Sequence, residues 1–238
     1  MGVSTRNSIV TNGLTHHIDV LSPMSYTSGS TTWRNLGSDT GSITLSATNT
    51  YSGLSLYPTA SGIIQAYWPS NYSGFVSQAG TYNLWVKVPD GNATAQTVLI
   101  NLGGTTNNTS YLYRNSFHTP TNRYSWLIYY TGSAGVGNYL PFYTYATGSW
   151  SNATLTHTSD GTGSMYINGV LVNRQAMSNF TQWSRNASGN PQITMFATSS
   201  AAGTVYGEFG VFQRYDRALS AQEVKRNYDA LKTRFNLT

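Results

Sequence analysis

The chain has 238 residues, with 13 basic and 8 acidic side chains, a net charge of +5 and no cysteine. That excludes a disulfide framework, a thiolate metal site and a thiol nucleophile. Only 9% of the residues are charged, against about a quarter in an ordinary globular domain. Ser, Thr, Asn and Gly stand in for charge beside 18 Tyr and 6 Trp, a mixture of strand and turn formers that suits an extracellular or particle-borne protein better than a cytosolic enzyme.

Residues 1–12 are polar apart from a short Ser-Ile-Val and read as an arm able to dock on neighbouring subunits. They contain no apolar run of signal-peptide length, and Arg6 breaks the myristoylation pattern that Gly2 would begin. No stretch is long and apolar enough to span a bilayer, so no membrane partner is expected.

From residue 14 onward, alternation with period two dominates. LTHHIDV (14–20) places Leu14, His16, Ile18 and Val20 on one face. TYNLWVKV (81–88) places Tyr82, Leu84, Val86 and Val88 on one face and Asn83, Trp85 and Lys87 on the other. Further strands are predicted at 96–101, 110–114, 123–130, 139–146, 149–157, 192–198 and 205–213. Asn168-Gly169 between two apolar runs is a strong signal for a two-residue hairpin turn, because both positions accept positive φ. It predicts Ile167 opposite Val170 and Met165 opposite Val172, all on one apolar face, with Tyr166 and Leu171 on the other. About a dozen short strands with Gly, Asn, Asp or Pro turns make a sandwich or jelly roll.

The last segment changes period. Val224, Tyr228, Leu231 and Phe235 recur at helical spacing within 218–235, and Ser220 with Glu223 forms a capping box. An all-β body of residues 13–217 is therefore expected to end in one amphipathic helix, 218–238, covering the sandwich. Lys225, Arg226, Lys232 and Arg234 lie on that helix and read as a solvated face rather than a nucleic-acid stripe.

Several blocks in order carry a resemblance: YNLWVKVPDG (82–91), WSNATLTHTSDGTGSMYINGVLV (150–172) and GEFGVFQRYDRALSAQEVKRNYDALKTRF (207–235). Together they resemble a laminin-G-like, concanavalin A-like lectin/glucanase jelly roll. SPMSYTSGSTTWRNLGS (22–38) is similar to the opening block of variants found in structural proteins of tailed phages and large viruses, departing from it at Asn35 and Gly37-Ser38. The resemblance implies two antiparallel sheets and a first strand beside the last one. It implies a virion structural role on the particle surface, as capsid decoration protein or head or tail fibre module of a tailed bacteriophage. Other capsid or tail subunits would be its partners, in a homo-oligomer, by class a trimer. The alternative is a glycan-binding lectin or adhesin.

Hydrolysis by this family needs paired carboxylates. Glu208 and Glu223 are the two glutamates of the chain, Glu223 belongs to the helix cap, and Glu208 has no carboxylate two or four residues away. An enzyme is therefore not expected. His16 and His17 point to opposite faces of a strand and cannot share a metal, while His17 and Asp19 share a face as a structural pair. Calcium wants six to eight oxygens; the acidic supply is thin, so no cofactor is expected, with one calcium at a loop rim the exception the resemblance allows. Sugar recognition uses aromatic faces with amide and hydroxyl groups. The candidates are placed in loops: Tyr67, Trp68, Asn71 and Tyr72; Asn107, Asn108 and Tyr111; and Trp183, Arg185 and Asn186. Each competes with a plain role in a core or subunit contact.

Overall fold

A computed structural model describes residues 8–39, 42–45, 49–51, 56–58, 64–67, 79–87, 97–103, 109–114, 123–129, 137–144, 148–176, 192–197 and 208–238. Side chains are described over 8–39, 79–87, 148–176 and 208–238. The described residues form β1 (Leu14–Asp19), β2 (Thr32–Arg34), β3 (Ser42–Leu45), β4 (Asn49–Tyr51), β5 (Leu56–Pro58), β6 (Ile64–Tyr67), β7 (Gly80–Lys87) and β8 (Thr97–Gly103). They continue with β9 (Thr109–Arg114), β10 (Arg123–Tyr129), β11 (Gly137–Thr144), β12 (Trp150–His157), β13 (Thr162–Ile167), β14 (Val170–Ala176), β15 (Gln192–Ala197) and β16 (Glu208–Tyr215). Helix α1 (Ala221–Leu231) and a 3-10 turn (Lys232–Phe235) follow.

Two antiparallel sheets result. One runs β14-β13-β12-β7-β16-β5-β4, with β1 also paired to β16; the other runs β11-β10-β9-β8-β15-β6-β3-β2. Pro141 lies in β11, an edge strand, where its missing N–H costs no ladder bond. The expected closure of the first strand on the last is observed, with His17 opposite Gln213 and Ile18 opposite Phe212. Five strands between residues 32 and 67 were not expected; each has only three or four residues, too few for alternation to register.

Strands β1, β7, β12, β13 and β16 of the first sheet are buried on both faces. Toward the second sheet they present Leu84, Val86, Phe209, Phe212, Leu155, Met165 and Ile18, each at most 1% exposed. Trp33 of β2 meets Phe209 edge-to-face at 5.3 Å. On the other face Trp85 stacks on Tyr228 and on Phe235 at centroid distances of 5.7 and 4.4 Å. Val224, Tyr228, Leu231 and Phe235 are all buried there, as the helical spacing predicts. Both arms of the capping box form: the Glu223 N–H donates to Ser220 Oγ and the Ser220 N–H donates to Glu223 Oε2.

The hairpin turns at Asn168-Gly169 with φ of 51° and 77°, as its sequence requires. Its register corrects the expectation. Ile167 pairs with Val170 and Tyr166 with Leu171, but a bulge then sets Met165 opposite Asn173 rather than Val172. The bulge reverses the alternation of β14 beyond Leu171, so Val172 does not join Met165, Ile167 and Val170 on one apolar face. Ahead of the bulge, Val170 and Leu171 are 60% and 47% exposed. The basic residues of the last segment are not simply a solvated face either. Arg234 Nη1 and Nη2 donate to Asp19 at 2.8 and 2.7 Å, and Arg226 donates to the Ser8 carbonyl and hydroxyl. Over residues 8–12 the expected arm lies on its own chain, where Val10 is buried and its N–H donates to Asn227.

Candidate functional site

The candidate sugar-binding residues divide sharply. Trp68, Asn71, Tyr72, Asn107, Asn108, Trp183, Arg185 and Asn186 lie outside the described residues. Tyr67 and Tyr111 are in strands rather than the expected loops: Tyr67 ends β6, and Tyr111 sits within β9 opposite Asn101 and Leu127. What the backbone does place is the strand ends that carry the candidate segments. Gln192, the first residue of β15, pairs with Tyr67 on one side and Gly103 on the other. Thr109 opens β9 opposite Tyr129, which ends β10. The ends of β6, β8 and β10 and the starts of β9 and β15 therefore share one rim of the second sheet, and in sequence Trp68 follows β6, Asn107-Asn108 precede β9 and residues 177–191 precede β15.

The described side chains hold two polar assemblies, one on each face of the first sheet. Toward the helix, register partners Thr154, Asn83, Gln213 and His17 form a row across β12, β7, β16 and β1. Asn83 Nδ2 donates to Gln213 Oε1 at 2.7 Å, and Asn83 Oδ1 accepts from Asn152 Nδ2 at 2.5 Å and from Thr154 Oγ1 at 2.8 Å. Beside His17, Asp19 accepts the bidentate guanidinium of Arg234, and His17 Nε2 is 3.8 Å from Asp19 Oδ2. Burial lowers the His17 pKa, the Asp19 carboxylate opposes that shift, and Arg234 adds to it.

Toward the second sheet, Arg214 is 1% exposed. Its Nη1 donates to Thr15 Oγ1 at 3.1 Å, and the Thr15 hydroxyl lies 3.1 Å from the Arg214 carbonyl and 2.9 Å from His16 Nδ1. His16 Nε2 in turn is 3.5 Å from Asp39 Oδ2, whose side chain is 38% exposed. Burial, then the Arg214 cation, lower the His16 pKa from 6.5 to about 2, so the ring is neutral. Burial raises the Tyr82 pKa, while the Arg214 bond and charge pull it the other way. This hydroxyl–imidazole–carboxylate line has the order of a nucleophilic triad. Its chemistry is structural: His16 is fully buried, and Thr15 Oγ1 is already engaged by Arg214.

Asn35, one of the departures from the opening block, clamps the loop above this line. Its Nδ2 donates to the carbonyls of Thr15 and Asp39, and its Oδ1 accepts from the N–H groups of His17 and Gly37. All four amide positions are used. A Cβ at Gly37 would collide with the Thr15 backbone, so the departure Gly37 is what lets the loop lie against β1.

Among the described residues, the acidic side chains are largely taken by structural partners. Glu208 pairs with Lys87 and Asp229 with Lys225 and Lys232. Glu223 is held by Arg217 and, with that bond as first cause, its pKa is lowered to about 2. Asp160 accepts from Thr158 and the Thr162 N–H within its turn. Among these residues no group of three His, Cys, Asp or Glu is arranged to hold a metal ion, and no helix is long and apolar enough to cross a membrane.

The fold has wide company among solved structures. The chain is similar to the botulinum neurotoxin serotype D binding domain at 12% identity and a TM-score of 0.69, covering 92% of this chain and 52% of that one. It is similar to the binding domain of Paraclostridial Mosquitocidal Protein 1 at 13% identity and a TM-score of 0.67, covering 91% and 52%. A third match is the serotype D ligand binding domain in complex with N-acetylneuraminic acid, at 12% identity and a TM-score of 0.68, covering 92% and 51%. The chain thus spans about half the length of these structures, and the likeness is one of fold. No curated protein sequence matches it. The profile of the concanavalin A-like lectin/glucanases superfamily matches residues 59–225, and with most of its length inside that match the chain belongs to this family.

Proposed function

We propose that the chain is a non-enzymatic recognition module whose ligand is a carbohydrate, bound at the rim of the second sheet. The observation that carries this reading is the row Tyr67–Gln192–Gly103. The segments continuous in sequence with these strand ends and with the start of β9 carry Trp68, Asn71 and Tyr72; Asn107 and Asn108; and Trp183 and Arg185. Aromatic faces and amides drawn from adjacent segments are what a sugar site needs. The structural pairing of Glu208 and Glu223 supports the absence of glycoside hydrolysis, which needs two carboxylates free to act on one bond. The structure solved with N-acetylneuraminic acid makes acidic sugars the first class to try.

A glycan array, run with calcium and then with chelator, tests this. Saturable binding that survives chelation and is lost in Trp68→Ala or Trp183→Ala is the expected result. A blank array with folded protein removes the carbohydrate reading, and loss on chelation alone assigns the binding to a metal.

A second reading concerns where the module works. The charge-poor composition and the opening-block resemblance favour the surface of a virus particle, as a decoration or fibre module of a tailed phage assembled as a trimer with capsid or tail subunits. Light scattering on the purified protein is expected to give a trimer mass; a monomer at micromolar concentration counts against it.

A further inference from the structure

We propose that the junction of the β13–β14 hairpin with helix α1 is a docking surface for an acidic segment of a different protein. Tyr166 and Ser164 lie on the helix side of β13, and their partners on β14 are Leu171 and Arg174. Leu171 keeps its expected place opposite Tyr166, and the bulge beyond it brings Arg174 to the same face. Gly169 packs against Lys225 and Tyr228, which joins the hairpin tip to α1. Beside it Ala221, Gln222, Lys225, Arg226 and Asp229 line a shallow open groove.

The resulting surface is apolar and basic. Val170 and Leu171 are two of the three exposed large hydrophobic residues among those described. Arg174, Lys225 and Arg226 are all exposed, and the acid within the groove is Asp229, already bonded to Lys225 and Lys232. In a chain with 9% charged residues, three cations beside Leu171 are a concentrated feature, with Val170, the partner of Ile167, exposed on the other face of the hairpin tip. Electrostatic complementarity then selects a carboxylate-bearing partner with apolar residues between the acids.

A second copy of the chain offers no such segment, because its eight acidic residues are scattered singly, none within five positions of another. Of those described, Asp19, Glu208, Glu223 and Asp229 are also held in ion pairs. A nucleic acid fits poorly as well. Stacking needs an open aromatic face, whereas Tyr228 is 8% exposed and lies under Lys225 and Lys232 at 5.5 and 5.9 Å. The surface is built from described residues of β14 and α1, none of them a carbohydrate candidate, and does not depend on that reading.

The test is a titration of isotope-labelled protein with a synthetic peptide of alternating Glu and Leu, at low salt, read by amide chemical shifts. Shifts are expected at Val170, Leu171, Arg174, Gln222, Lys225 and Arg226. Affinity is expected to fall at least tenfold in the variant carrying Arg174→Glu, Lys225→Glu and Arg226→Glu, and about threefold in Leu171→Ser. Far-UV circular dichroism and thermal unfolding establish that the variants are folded, and an unchanged glycan profile keeps this result distinct from the sugar site. Absent or scattered shifts, equal affinity in the reversed variant, or tighter binding of oligothymidylate than of the peptide each overturns the proposal.

Discussion

The two faces of the first sheet bury polar groups by different means. On the helix side, Asn83 joins Asn152, Thr154 and Gln213 through neutral amides and a hydroxyl, in line with the ladder itself. On the inner side a guanidinium, Arg214, is connected through Thr15 and the neutral ring of His16 to the half-exposed Asp39. The amide row keeps its bonds at any pH. The inner line runs through an imidazole that must stay uncharged, whereas on the helix side that sensitivity sits in His17 at the end of the row.

The largest effect is expected where the helix side is apolar. Phe235→Ala removes the ring packed on Trp85 and Trp150 and should cost about 3–5 kcal/mol, measured by urea unfolding. A loss below about 1 kcal/mol would mean that the 3-10 turn merely rests on the sheet. Asn83→Ala comes next. It strands the amide of Asn152, the Thr154 hydroxyl and Gln213 Oε1 in a buried layer, at about 2–3 kcal/mol, and the loss should be the same at pH 7.5 and pH 5.

Acid sharpens the contrast. A folded-state histidine pKa below the unfolded value means that the unfolded chain binds more protons, so stability is complete above about pH 6.5 and declines as the pH falls below it. His16, lowered to about 2, contributes about 2 kcal/mol of that loss at pH 5; His17 acts in the same direction. Unfolding midpoints measured from pH 7.5 to 5 should fall accordingly, and His16→Gln should flatten the decline more than His17→Gln. An unchanged slope in His16→Gln would show that the inner line does not set the acid response.

The sequence made the long strands and the helix legible because each has a period to display. Trp85 and Tyr82 alternate over eight residues, and Val224, Tyr228, Leu231 and Phe235 repeat over three turns. The strands between Thr32 and Tyr67 have three or four residues, too few to show a period, although β2 pairs with β3 and β4 with β5 nearby in sequence. The β14 bulge was invisible for a related reason: Asn-Gly specifies the turn, but the register beyond it depends on packing that places Met165 opposite Asn173. The pairing of Arg234 with Asp19, across 215 residues, had no sequence signal beyond the two charges. The candidate sugar-binding residues were chosen by side-chain chemistry; the adjacency of their strand ends emerged only from the order of β6, β15 and β8.

The pairing of β1 with β16 bears on how the molecule is made. His17 and Gln213 are register partners, so among the described strands β1 has no partner until β16 has been synthesised. Contacts of such sequence separation slow folding and leave a strand edge open in the meantime. The N-terminal strand must wait, and the closing step of folding is also the one that seats the last helix. A permuted order in which β16 and α1 precede β1, with the chain opened at an exposed turn, would turn that last pairing into one of the first.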